Sequence, residues 1–109
     1  EETVGLSRSK FVQALAAEGI PATSGYPFAL YKNPMFTAKH FINGAFPLGS
    51  PYHEDVDYTA YEARCPVAER ACSQEAVWLP QNVLLGTRED IGDIAGAIAK
   101  VLDNKEELA

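Results

Sequence analysis

"EAVWLP", residues 75–80, is the stretch on which the fold class turns. Val77 and Trp78 suit a pleated, half-buried backbone, and Pro80 withholds the next ladder donor, so the run reads as a short strand. "IPAT", residues 20–23, enters from Gly19 and reads as a second strand. Around them lie helical patterns. "RSKFVQALAAE" (8–18) follows a Ser7 N-cap, places Phe11, Ala14 and Leu15 on one side, and stops at Gly19. Pro66 opens "PVAERACSQ" (66–74), its missing N–H costing nothing in a first turn.

The clearest element is "GTREDIGDIAGAIAKVLDN" (86–104). Thr87 and Asp90 have capping-box spacing, acids crowd the positive helix start, and Ile91, Ile94, Ala95, Ile98, Val101 and Leu102 share a face. The tail "KEELA" reads as a fraying end. These elements predict an α+β fold, a small, mostly antiparallel sheet with helices packed on one face. Two strands alone are marginal in water, so the pattern implies that the sheet's first strand lies outside the chain.

Between Ser24 and Ala60 seven Gly and Pro residues rule out any long element and leave room for short turns near "NPMF" and "AKHFIN". A loop of this length is usually functional or mobile. Residues 44–62, with "PYHEDVDY" inside them, read as its mobile part. "GYPFALYKNPMF" (25–36) instead concentrates rigid and aromatic residues, which calls for a binding explanation or a packing one.

With 109 residues the chain holds one domain. A net charge of −6 argues against nucleic acid and anionic membranes as partners, and no apolar run reaches membrane-spanning length. With no signal segment at the start, cytoplasm is the default location. Cys65 and Cys72 would stand about 10 Å apart on a helix, too far for a disulfide, and lack zinc-site spacing, so both read as thiols.

Candidate chemistry is sparse. His53, Glu54, Asp55 and Asp57 offer ligand atoms but fit no calcium loop, and read as a solvated acidic loop. His40 beside Lys39, and Cys65 beside Arg64, lack any group to orient them as a catalytic pair. "GDIAG" is a G-x-x-x-G run on a soluble helix, a weak sign of close approach. Neither a P-loop, nor G-x-G-x-x-G, nor G-x-S-x-G occurs. The chain itself therefore carries no catalytic residue set and no metal site.

The order of two blocks adds more. "EGIP…GYP…L" followed by "CPVAE…WLP…LLG" resembles the C-terminal small domain of the DegT/DnrJ/EryC1/StrS family of pyridoxal-phosphate (PLP)-dependent aminotransferases, over residues 6 to 102. The resemblance implies the small domain of a fold-type I transferase spanning residues 1–109. It also implies a parent enzyme, homodimeric, that moves an amino group from glutamate or glutamine to a keto-sugar or cyclitol ketone. The Schiff-base lysine and the other cofactor groups of that family have no counterpart here, so this chain alone is expected to bind no PLP and to be inactive. The loop at 25–36 corresponds to the substrate side of the cleft. On that footing Tyr26, Pro27 and Tyr31 are candidate substrate-binding residues, Tyr31 standing where many relatives have His, and Gln81 just past "WLP" is another. Packing is the competing explanation for Tyr26, Phe28, Tyr31 and Phe36, and Trp78 reads as core. A free-standing small-molecule-binding or regulatory α+β module, and an interaction module using the aromatic loop, are the alternative readings.

Overall fold

The computed structural model describes residues 5–38 and 56–108. Five α-helices are present among them: α1 (Arg8–Ala17), α2 (Pro34–Thr37), α3 (Tyr61–Arg64), α4 (Pro66–Arg70) and α5 (Arg88–Asp103). Single helical turns at Leu30–Lys32, Tyr58–Ala60, Ala71–Glu75, Gln81–Leu84 and Lys105–Glu107 accompany them. The chain divides into two compact units, Glu1–Gly25 with Gln74–Ala109, and Tyr26–Ser73.

In the first unit α1 packs on α5. Ser7 caps α1 by accepting from the Lys10 N–H, and Gly19 leaves it at φ 84°. Leu15 is 1 % exposed and forms a core with Leu6 and Val101, onto which Phe11, Ala14, Ile20, Ala22, Ile98 and Leu108 pack. Burying one such leucine is worth roughly 1.5–3 kcal/mol. Leu108 thus anchors the tail expected to fray, through the turn Lys105–Glu107. On α5 the buried stripe is Ile94 and Val101 with Ile98 beside them, while Ile91 and Ala95, expected on the same face, are exposed.

The expected sheet is not there. Helical elements take 66 % of the described residues and no strand occurs among them. The two runs read as strands do meet, but at a single antiparallel bridge, Thr23 with Trp78, whose N–H groups and carbonyls exchange bonds of 2.9 and 2.7 Å. The reason lies in the register. The next hydrogen-bonded pair on one side would be Pro21 with Pro80, and neither has an N–H to donate. On the other side it would be Gly25 with Ala76, but Gly25 turns to φ 70° and ends the extended run. An α+β assignment from β-propensity therefore fails, because propensity does not report which residues will face each other.

Trp78, read as core, is 49 % exposed. Its indole lies over Gly25, where an added Cβ would come within 2.5 Å of Nε1. Only a residue without a side chain permits both that approach and the left-handed φ.

The α5 start is as the spacing predicts. Thr87 accepts from the Asp90 N–H at 3.2 Å, while its own N–H and hydroxyl both donate to Asp90 Oδ2 at 2.7 Å.

In the second unit, Asn33 accepts from the Met35 N–H at 3.0 Å and Pro34 opens α2, the turn expected at "NPMF". Pro66 opens α4 likewise, and a π-turn over Ala71–Glu75 follows it. Of the loop expected over 44–62, and of the "AKHFIN" turn, residues 39–55 lie outside the described residues. Tyr58–Ala60 form a helical turn capped by Asp57, leading directly into α3. Cys65 and Cys72 both remain thiols. Among the described residues no helix is long and apolar enough to cross a membrane.

Gly25→Ala combines a left-handed backbone penalty with overpacking beneath Trp78, so urea unfolding should show a loss of about 2 kcal/mol or more. An unchanged midpoint would mean the indole does not sit there. At the start of α5, hydrogen bonds from Thr87, the hydroxyl first, hold the Asp90 carboxyl below its ordinary 3.8. A folded-state value below the unfolded one means its contribution is complete above about pH 4 and is lost as the pH falls through the folded value. The gap in melting temperature between wild type and Asp90→Asn should therefore be full at pH 7 and close on acidification below about pH 4.

Candidate functional site

The second unit builds its site around one short turn. Ala29, 4 % exposed, roots the segment, and the turn Leu30–Lys32 presents Tyr31 and Lys32 to α3 and α4. Glu62 on α3 and Glu69 on α4 lie seven residues apart, two helical turns broken at Cys65 and Pro66. Lys32 Nζ donates to Glu62 Oε1 at 2.9 Å and to Glu69 Oε2 at 2.7 Å. The Tyr31 hydroxyl donates to the remaining Glu69 oxygen, Oε1. Glu69 thus has a donor on each oxygen.

The electrostatics agree with that arrangement. Hydrogen bonds from Lys32 and then Tyr31 hold the Glu69 carboxyl below its ordinary value. Bonds to Glu69 and Glu62 raise the Lys32 ammonium above its own. Partial burial first, and the bond to Glu69 second, push the Tyr31 phenol up to about 12. By formal charge the cluster sums to −1, one lysine against two glutamates.

Beside this knot four aromatic rings run in series. Tyr31 and Tyr61 have centroids 5.9 Å apart, Tyr61 and Tyr58 6.1 Å, and Tyr58 and Phe36 5.2 Å. These spacings fall within the range of attractive aromatic pairs. With Leu30, the rings line an open cavity of about 220 Å³ whose exposed lining is wholly apolar. The distance between Phe36 and Tyr58 in sequence hides the cup. What signals it is the "YTAY" run, whose Tyr58 and Tyr61 are three residues apart and so share a side of one helical turn.

Of the residues singled out from sequence, Tyr31 is in this cup, and Phe36 is its far wall. Tyr26, 67 % exposed, and Pro27, also exposed, precede it on the same segment. Gln81 belongs to the other unit, exposed at the start of the turn Gln81–Leu84. Sequence reasoning does not reach Lys32, Tyr58, Tyr61, Glu62 or Glu69. Asp57, read with His53, Glu54 and Asp55 as a solvated acidic loop, is exposed and accepts from the Thr59 N–H at 3.0 Å and hydroxyl at 2.6 Å. Its three companions, like Lys39 and His40, lie outside the described residues. Among the described residues no group of three His, Cys, Asp or Glu side chains could hold a metal ion.

Comparison with known proteins gives a consistent set of relatives. The chain is 36 % identical over 108 residues to "Putative L-glutamine:3-amino-2,3-dideoxy-scyllo-inosose aminotransferase" of Streptomyces kanamyceticus, covering 95 % of the chain and 24 % of that protein. Proteins of the same name match from Micromonospora echinospora, at 33 % over 92 % of the chain, and from Streptoalloteichus tenebrarius, at 30 % over 99 %. They are covered over 23 % and 25 % of their own lengths, so the chain spans about a quarter of the curated relatives it matches. No family model matches the chain. No solved structure matches it either. Over nearly its whole length, then, the chain is homologous to L-glutamine:scyllo-inosose aminotransferases, sugar aminotransferases of the DegT/DnrJ/EryC1/StrS family.

Proposed function

We propose that the chain works as the C-terminal small-domain part of a PLP-dependent aminotransferase that moves the amino group of glutamine onto an amino-bearing scyllo-inosose or a close cyclitol ketone. The observation carrying this reading is the match of 95 % of the chain to a relative named for that activity. The chain's own role is to wall the ketone's side of the cleft, with Tyr31 in the aromatic cup and Tyr26 and Pro27 on the segment leading to it. Gln81 is a separate polar candidate. The parent is a homodimer on the same resemblance, and the cytoplasm is its proposed location.

The described residues do not fit the cofactor itself. A lysine that bonds to PLP needs its amine available in the neutral form. Lys32 is held as an ammonium between two carboxylates, and Lys100 donates to Glu18 at 2.7 Å. Lys10 and Lys105 stand on α1 and on the turn Lys105–Glu107, neither of them in the aromatic cup. Cofactor chemistry is accordingly assigned to the remainder of the parent, and no catalytic step to this chain. Large apolar side chains such as Leu30, Val67, Leu84 and Leu85 stand 48–74 % exposed, as suits a segment that packs against further protein.

The test uses the whole aminotransferase that carries this chain. Tyr31→Ala should raise KM for the cyclitol ketone about tenfold, the effect of about 1.4 kcal/mol of lost aromatic contact, and leave KM for glutamine in place. Equal changes in both, or none, would remove the cup from the ketone's side of the reaction.

A further inference from the structure

Resting on that reading, we infer that the Tyr31–Phe36–Tyr58–Tyr61 cup receives the ring of a protonated amino-cyclitol and recognises its ammonium group, so that this chain selects amine-bearing ketones over neutral ones. Four observations converge on that ligand.

The first is size. A cavity of about 150 Å³ suffices for benzene, so about 220 Å³ admits a substituted six-membered ring with its edge in water. The second is the wall. Electron-rich ring faces attract a cation within about 6 Å of their centroids, and rings 5.2–6.1 Å apart can share one.

The third is charge. Lys32 would repel a second cation if it stood alone, but Glu62 and Glu69 both hold it, and the group carries −1. The chain as a whole, this group included, carries −6. The fourth is Tyr31 itself. By donating its hydroxyl to a carboxylate it gains electron density in the ring, which strengthens the attraction for a cation. A neutral ketone of the same shape has the stacking contacts without these last two contributions.

The experiment needs neither cofactor nor amino donor. The cofactor-free whole aminotransferase that carries this chain is titrated with cyclohexylammonium and, separately, with cyclohexanol, followed by proton NMR of the ligand. Binding of the ammonium should be roughly 2- to 30-fold tighter than that of the alcohol. Its proton next to nitrogen should shift upfield, as ring currents require of a group inside the cup. Tyr61→Leu should abolish the preference and Tyr61→Phe keep it. Equal affinity for the two probes, or no upfield shift in the unaltered chain, would overturn the inference without any variant having to fold. If the parent enzyme proves not to transaminate while the ammonium preference holds, the functional reading fails and the cation site stands. Transamination without the preference leaves the functional reading standing and removes the cation site.

Discussion

Everything distinctive about the second unit hangs on the carboxylate of Glu69. One oxygen takes the Tyr31 hydroxyl and the other the Lys32 ammonium, so α4 fixes both consecutive residues of the Leu30–Lys32 turn. Lys32 then reaches Glu62, which brings in α3. That restraint sets the plane of the Tyr31 ring, and Tyr61, Tyr58 and Phe36 follow from it at stacking distances. Partly exposed ion pairs contribute little to stability, and the value of this one is geometric. It turns a short irregular segment into a preorganised wall, the kind of arrangement that lowers the cost of ordering a binding site.

The first unit solves a different problem with few resources. Leu15, Leu6 and Val101 supply its buried cluster, and the approach of Trp78 to Gly25 ties the segment after α1 to the segment before α5. The Thr23–Trp78 bridge holds the same two segments by two backbone bonds and stops there. Its neighbours in register are two prolines on one side and a left-handed glycine on the other, so pairing cannot propagate. Local chemistry therefore fixes the join without a sheet.

Helices with local signals are legible in the sequence. The caps at Ser7 and Thr87, the glycine stop at Gly19 and the proline starts at Pro34 and Pro66 are all decided within a few residues, and each stands where the pattern puts it. The sheet is misread because β-propensity is counted in "EAVWLP" and "IPAT" separately, whereas the decisive fact is that Pro21 faces Pro80. In the cup, Tyr31 can be singled out through the family resemblance, but its partners cannot. Glu69 is 38 residues away from it and Tyr58 is 22 residues from Phe36, distances over which no helical or strand period carries information. The family resemblance is legible from the paired blocks and is matched by the relatives found.

In the proposed division of labour, this chain shapes the ketone's surroundings and the rest of the parent holds the cofactor. Borohydride reduction of the intact parent, followed by mass mapping of its peptides, marks the lysine that carries the pyridoxyl group. The account predicts the mark on a lysine outside these 109 residues. A mark on Lys10, Lys32, Lys39, Lys100 or Lys105 would contradict it.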